Sequence, residues 1–595
     1  MLRTHTCNDL TLKNVEQEIT LAGWVSNRRD HGGIIFIDLR DRYWLTQIVF
    51  DPEYEKISWE QANDYRSEFV IQISWTVRSR PDWQANINLN TGDIEIIVNQ
   101  TRLISKSKTP PFELDEYVQN INEEVRYKHR FIDLRRKKVL NNVLFRSKYL
   151  NFIRNWFYDH DFIEVQTPIF TVSSPEWARD YLIPSRLNPW KFYALPQAPQ
   201  QYKQLLMVGG IDKYFQVAPC FRDEDPRADR HACEFYQTDC EMSFIHREDI
   251  FAVVEKFIRD SSKKLSDKTI MDDTFYSMSY DEALENYGSD KPDLRFWMKF
   301  ITLTDIFSNT EFSVFKSVYE TGWVIKAIKL EWQSMSRKDI DELTEVAKKE
   351  WARWLAYIIY DDKEEGWKKS PILKFMSENE ITEIEQRIQP KNGDIVFFSA
   401  DEFKKAVSIL NKVRLSLRDR FHLADTKKLA LCWIIDFPMF EKDESTGKID
   451  FAHNPFSMPI WWIEAFHTND LLSMKANQFD LACNGYEILS WSIRNYDIDI
   501  LIKAFETVGR NKEEVISKFG AMYEAFQYGV PPHGWFAIGM DRYMMILTDE
   551  INIREVYAFP KSWKAQDLMM SAPSVIDEEQ LKELHIKVSI ENEKK

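Results

Sequence analysis

Short runs that alternate apolar and polar residues fill the first part of the chain, at 19–25, 33–39, 45–50, 69–74 and 94–98. A period of two marks half-buried strands. Five short strands with turn residues between them predict a small barrel of OB type over residues 1–108. A basic loop, Asn27-Arg28-Arg29-Asp30-His31-Gly32-Gly33, is expected between the first two strands. On such a barrel Arg29, Phe36 and Gln47 could stack on and hydrogen-bond unpaired bases. Phe36 could equally point into an ordinary barrel core.

The pattern then changes. Thr109-Pro110-Pro111-Phe112 reads as a linker, and residues 109–135 as a hinge. A helical period follows from 137 to 159, carried by Val139, Leu140, Val143, Leu144, Ile153 and Phe157. Residues 161–168 predict a strand that Pro168 ends. Residues 297–428 mix Lys/Glu-rich helical segments (337–350, 376–388 and 401–421) with short strands, which reads as an inserted α+β domain. It would divide one domain into two parts, 136–296 and 429–570. Strand character returns at 429–436, a helix is expected at 511–527, and 571–595 reads as a charged peripheral extension. The fold class is α+β multidomain.

Between strand-like runs at 213–218 and 233–244 lies Phe221-Arg222-Asp223-Glu224-Asp225-Pro226-Arg227-Ala228-Asp229-Arg230. Strand, charged loop, strand is a hairpin pattern. A solvated turn is one reading. The density of Arg beside carboxylates supports another, since Arg forks suit phosphate and carboxylates suit Mg²⁺ or amine donors.

Composition narrows the class. The net charge of −16 argues against a non-specific nucleic-acid coat. The six Cys form no CxxC and no disulfide framework, which fits a reducing cytoplasm. No run suggests a membrane span or a signal peptide.

Several further stretches complete a pattern. They are Ser173-Ser174-Pro175-Glu176-Trp177-Ala178-Arg179-Asp180, Gln200-Gln201-Tyr202-Lys203, His453-Asn454-Pro455-Phe456, Asn484-Gly485-Tyr486-Glu487, Ser492-Ile493-Arg494 and Ala537-Ile538-Gly539-Met540-Asp541-Arg542-Tyr543. In this order, together with 161–168 and 221–230, they resemble the aspartyl-tRNA synthetases of bacterial type, a family of class II aminoacyl-tRNA synthetases. The resemblance runs from Cys7 to about Ser574. It implies an antiparallel catalytic sheet, an anticodon-binding OB barrel, and a homodimer with 161–168 at its interface. L-aspartate, ATP and tRNA would be the substrates, with Mg²⁺.

The family's roles carry over by position. Arg222 would clamp the α-phosphate and the aspartate carboxylate, with Glu224 at the adenine or tRNA end, Asp223 among the ATP contacts and His231 at a polar adenosine contact. The spelling His231-Ala232-Cys233 departs from the commoner family form. Arg542 would take the γ-phosphate beside Glu487, Gly539, Met540 and Asp541. Arg222, Glu224 and Arg542 are thus the expected catalytic residues, and Asp480 and Glu487 the expected Mg²⁺ ligands. Arg494 and Lys203 would hold the aspartate side chain, with Glu176 and Asp239 on the amine side, Gln200 as a hydrogen-bonding partner and His453 closing over the site. Arg29, Phe36 and Gln47 match positions that contact the anticodon. His31 stands where relatives that also charge asparagine tRNA often have histidine.

One feature departs from the family. Trp numbers 20 and Gly only 17, where about 7% Gly, or roughly 40, is usual for this length. Trp44, Trp75, Trp177, Trp190, Trp354, Trp461, Trp462, Trp491 and Trp535 fall where the family has glycine. Two readings stand. A UGA codon that specifies glycine has been rendered as Trp, in which case Trp24, which matches a family Trp, is genuine. Otherwise the chain is an inactive paralogue that binds RNA. Among enzymes, the alternatives are an asparaginyl or lysyl relative.

Overall fold

A computed structural model describes all residues except 82, 84, 88, 116–119, 174–177, 225–231, 363–366, 444–445, 468–469 and 590–595. The chain forms two compact units, Met1–Arg146 with Arg554–Val575, and Ser147–Ile553 with Ile576–Lys595.

In the first unit five strands close into a barrel of order β1-β2-β3-β5-β4. They are β1 (Glu18–His31), β2 (Ile34–Asp41), β3 (Trp44–Phe50), β4 (Val70–Ser79) and β5 (Ile94–Ser105), and helix α1 (Lys56–Asn63) lies between β3 and β4 in sequence. Alternate residues Ile35, Ile37 and Leu39 are fully buried with Leu21, Val25 and Ile48, so the period of two becomes the barrel core. The expected basic loop is largely strand. β1 continues through His31, and Gly32 and Gly33, both at positive φ, make a two-residue turn into β2. Such turns need φ > 0 at both central positions, which glycine supplies without steric cost. Phe36 faces outward, half-buried, rather than into the core. The unit's second segment is tied in by Arg126, which donates to both carboxylate oxygens of Glu555 at 2.8 Å.

The second unit is built on an eight-stranded sheet. Its first strands are β6 (Ile163–Glu164), β7 (Lys213–Phe221), β8 (Glu234–Ser243) and β9 (Tyr276–Ser279), with helix α2 (Gln200–Val208) before β7 and α3 (Arg247–Leu265) after β8. A separate five-stranded sheet follows, formed by β10 (Ile301–Thr302), β11 (Val324–Leu330), β12 (Ala356–Tyr360), β13 (Lys368–Lys369) and β14 (Ile395–Asp401) in the order β10-β11-β14-β12-β13. Helices α4 (Arg337–Lys349) and α5 (Phe403–Phe421) accompany it. The chain then returns for β15 (Leu431–Ile435), β16 (Gln478–Cys483), β17 (Tyr486–Ile493) and β18 (His533–Gly539), followed by α6 (Met540–Leu547).

The large sheet has the order β9-β15-β16-β17-β18-β8-β7-β6 and is antiparallel from β15 through β7. Strands from both sides of the inserted module therefore interleave. α3 buries Ile250, Val254, Phe257 and Ile258 at helical spacing. The strand expected at 161–168 is only two residues long and pairs parallel with β7. Pro168, which lacks an N–H, cannot donate to a ladder.

All six cysteines are buried and free. Among the described residues no helix is long and apolar enough to cross a membrane.

Candidate active site

β7 and β8 form the predicted hairpin, with Phe221 paired to Glu234 and Gln216 to Asp239. A cleft of about 270 Å³ opens over the sheet beside it. Its lining includes Gln200, Arg222, Phe235, His453, Gln478, Asp480, Glu487, Ser490, Trp535, Gly539, Asp541 and Arg542. Eight of the residues predicted from the sequence thus meet at one surface, from five separate stretches of chain.

Beneath the lining residues Gln200 and Trp535 lies a fully buried charged cluster, a floor whose Lys203, Asp239, Glu241 and Arg494 do not themselves line the cleft. On β8, Asp239 and Glu241 are two apart and so share one face, and both are fully buried. Helix α2 presents Gln200, Lys203 and Gln204 on its buried side, at spacings of three and four. Lys203 Nζ lies 2.6 Å from Asp239 Oδ1 and 3.5 Å from Glu241 Oε2. Arg494, just past the end of β17, donates from Nε to Glu241 Oε1 at 3.1 Å and from Nη2 to Gln200 Oε1 at 2.8 Å. His533 closes the network, 3.3 Å from Gln204 Oε1 and 4.0 Å from Glu241 Oε1.

Burial works against the charge on Glu241, but Arg494, Lys203 and His533 outweigh it and hold the carboxyl below its usual range. Burial pushes Asp239 upward against the pull of Lys203. Burial lowers the pKa of His533, outweighing the attraction of Glu241. Asp239 Oδ2 and Gln200 Nε2 are buried with no hydrogen-bond partner among the described residues. A buried acceptor and a buried donor left unmade are costly, and a bound polar ligand would satisfy both.

At the other end Arg222 stacks its guanidinium 5.0 Å over the Phe235 ring, and its Nε has no hydrogen-bond partner among the described residues. Arg542 donates to the Glu487 carbonyl at 2.8 Å and lies 3.4 Å from its carboxylate. Gly539 ends β18, where an added Cβ would meet only ordinary contacts, the nearest being Ile488 O at 3.6 Å. Nothing in the chain itself therefore demands glycine there. Asp541 is buried and accepts from the Tyr236 N–H at 3.4 Å. His453 packs edge-on against Phe437, and burial lowers its pKa.

Asp480 is buried on β16, and burial followed by the charges of Glu487 and Asp290 raises its pKa well above the usual range. Its Oδ1 has no partner among the described residues. A cation would relieve both conditions, and hard oxygen donors suit Mg²⁺. No cluster of three or more metal-ligating side chains forms among the described residues, so phosphate and water would complete the shell.

Some predicted residues lie elsewhere. Asp223 and Glu224 sit on the loop after β7 and do not line the cleft, although the Asp223 N–H donates to Arg179 O at 3.0 Å. Met540 is fully buried behind it. Glu176 and His231 fall outside the described residues, as does Trp177. The barrel residues Arg29, His31, Phe36 and Gln47 share an outward strand surface. Arg29 bonds Asp38 at 3.0 Å, Asp38 stands opposite Gln47, and the His31 ring meets Phe36 edge-on at 6.2 Å.

Sequence reasoning missed Glu241, His533 and Gln204. Glu241 was within reach, because it repeats the strand period from Asp239. His533 and Gln204 are brought in by pairing and packing alone.

A class II architecture, an antiparallel sheet carrying a cleft with an Arg on the β7–β8 hairpin and another at the start of α6, is what these elements make. The chain belongs to the family of class II tRNA synthetases of the aspartate, lysine and asparagine group, whose model matches residues 122–563. An OB-fold nucleic-acid-binding model matches 19–104. An aspartate–tRNA(Asp/Asn) ligase of Rickettsia africae is 45% identical over 592 residues, covering 99% of this chain and 98% of that protein. One from Chlorobium phaeovibrioides is 47% identical, with 99% and 97% covered. Among solved structures, asparaginyl-tRNA synthetase of Pyrococcus horikoshii, in complex with asparaginyl-adenylate, shares the fold at a TM-score of 0.58 and 17% identity, over 94% of this chain and 99% of that one.

Proposed function

We propose that this chain is an aspartate–tRNA ligase that activates L-aspartate with ATP and transfers it to the 3′ end of tRNA. The buried Lys203–Asp239–Glu241–Arg494 floor carries this reading. Two cations held by two carboxylates accept a short acidic side chain. A neutral amide would leave them uncompensated, and a site built to bond a charged group rejects the analogue that lacks it.

In the first step an oxygen of the aspartate α-carboxylate attacks the α-phosphorus of ATP. The bond from that phosphorus to the bridging oxygen breaks, and pyrophosphate leaves. Two anions must approach, so catalysis is positioning and charge neutralisation. Arg222, held flat by Phe235, faces the α-phosphate and the carboxylate. Arg542, fixed by Glu487, takes the γ-phosphate. Glu487 and Asp480 would hold Mg²⁺, which when bound offsets phosphate charge. Asp239 receives the substrate ammonium, and Gln200 adds a hydrogen bond. In the second step a terminal ribose hydroxyl of tRNA attacks the activated carbonyl. The hydroxyl proton is lost and adenosine monophosphate leaves. Glu224 and Asp223 stand on the loop nearest that event, His453 covers the aspartate, and Glu176 and His231 complete the amine and adenosine sides.

The barrel surface of Arg29, Phe36 and Gln47 reads the anticodon. His31 beside Phe36, and relatives named for both tRNAs, support charging of asparagine tRNA as well as aspartate tRNA. A homodimer through residues 161–168 and a cytoplasmic location complete the proposal. The inactive-paralogue reading gains no support, because the charged groups of the cleft are present and ordered around each other.

Aspartate-dependent ATP–pyrophosphate exchange tests the first step. Exchange with aspartate but not asparagine is expected, and its absence would overturn the reading. Aminoacylation of purified aspartate and asparagine tRNAs tests the tRNA range.

A further inference from the structure

Six of the nineteen described tryptophans have left-handed backbone: Trp44 at φ 112°, Trp190 at 68°, Trp332 at 56°, Trp351 at 66°, Trp367 at 55° and Trp462 at 51°. Only a few per cent of non-glycine residues do so, and bulky ones least of all. Three of the six, Trp332, Trp351 and Trp367, were not among the positions at which the family resemblance implied glycine, so the backbone identifies them independently.

Trp351 shows why. Helix α4 ends with the Trp351 N–H donating to Lys348 O at 2.9 Å and the Ala352 N–H to Ala347 O at 3.2 Å. This pair of bonds defines a helix end whose central residue is usually glycine. Among the described residues, three other helices close with the same two bonds on a glycine, and their central residues are Gly210, Gly322 and Gly509, all at positive φ. A fourth uses Asp161 and a fifth His585, residue types enriched there. Trp351 is the exception, with an indole 81% exposed to solvent. Trp190 is 92% exposed.

A second group behaves as tryptophan should. Trp156 and Trp433 are buried, and their indole N–H groups donate to Asp260 at 2.9 Å and Glu255 at 3.0 Å. Trp59 donates to Gly33 O at 2.6 Å. Trp24 lies under Arg135, with the guanidinium 4.9 Å from its ring. None of these four has positive φ.

Two more tryptophans fail on other grounds. Trp491 is fully buried in β17, stacked 4.1 Å from Phe479, and its N–H has no partner among the described residues. Trp535 donates its indole N–H to Ser492 Oγ at 2.7 Å, but it lays the ring over the site's two cations, 4.3 Å from Lys203 and 4.7 Å from Arg494, in the space a substrate carboxylate needs.

We infer that the protein made in its own cells has glycine at 44, 190, 332, 351, 367 and 462, and also at 491 and 535, while 24, 59, 156 and 433 are tryptophan. Two codons are read as one residue in this sequence, and the cells read them as two. Glycine at 535 uncovers both cations of the cleft.

The gene and the protein each test this. The codon at 332, 351 and 367 should differ from the codon at 59, 156 and 433. Mass spectrometry of the protein from its source should find glycine in peptides spanning the first three and tryptophan in those spanning the second three. One codon at all six positions, or a tryptophan mass at 332, 351 and 367, overturns the inference. Neither readout depends on activity, so failure of the proposed ligase function would leave it standing.

Discussion

Arg494 and Glu241 meet beneath the cleft with neither exposed to water, Nε to Oε1 at 3.1 Å. Glu241 also neighbours Lys203 and His533. It does not itself line the cleft, so it acts through the cations it holds.

Glu241→Gln therefore tests positioning. Leaving buried cations without their anion costs about 2–5 kcal/mol. We expect kcat/KM for aspartate to fall at least about 30-fold, which is roughly 2 kcal/mol, while the KM for ATP holds. An equal loss for both substrates would mean general disruption instead.

His533 gives the pH dependence a sign. Its folded pKa lies below the ordinary 6.5, because burial outweighs Glu241 while Arg494 and Lys203 also oppose the charge. Below pH 6.5 the unfolded chain takes up a proton that the folded chain does not, so stability is full above 6.5 and is lost as pH falls toward the folded pKa. The slope from this residue reaches at most about 1.4 kcal/mol per pH unit. Urea unfolding between pH 8 and 5 should show it, and His533→Gln should reduce it. An unchanged slope would assign the proton elsewhere.

On the barrel, Phe36→Ala removes a stacking surface worth about 1–3 kcal/mol per base. The KM for tRNA should rise roughly tenfold or more, with aspartate-dependent pyrophosphate exchange unaltered. A tRNA KM that stays put would remove this surface from recognition.

In the chain with the sequence as written, Trp332→Gly and Trp351→Gly should each raise stability. Left-handed backbone costs a residue with Cβ about 1–2 kcal/mol, and the entropy glycine loses on folding returns about half of that. A net gain near 1 kcal/mol per site, read by chemical denaturation, is the reverse of the usual effect of placing glycine in a chain. A loss at both sites would contradict the backbone argument.

Much of the site was legible because its residues come in local patterns. The hairpin around 221–230 announced itself through alternation on either side of a charged run. The spacing of Gln200, Lys203 and Gln204 follows the helix period, although Gln204 went unnoticed. The end of β1 was hidden because Asn27 through His31 have no core-facing partner to alternate with. Glu241 read as one more polar residue on a strand, since burial, which makes it important, is settled by β18 and Arg494 from far along the chain. His533 reaches the floor only through strand pairing.

Strand β8 begins beside the Phe235 ring that supports Arg222 and carries Asp239 four residues later. At about 3.3 Å per residue this fixes roughly 13 Å between the two stations. The strand is thus a gauge cut in backbone, and its length does not yield to side-chain rotation. On the proposed assignment, the distance between the phosphate end and the aspartate end of the site is thereby set by the pitch of the sheet.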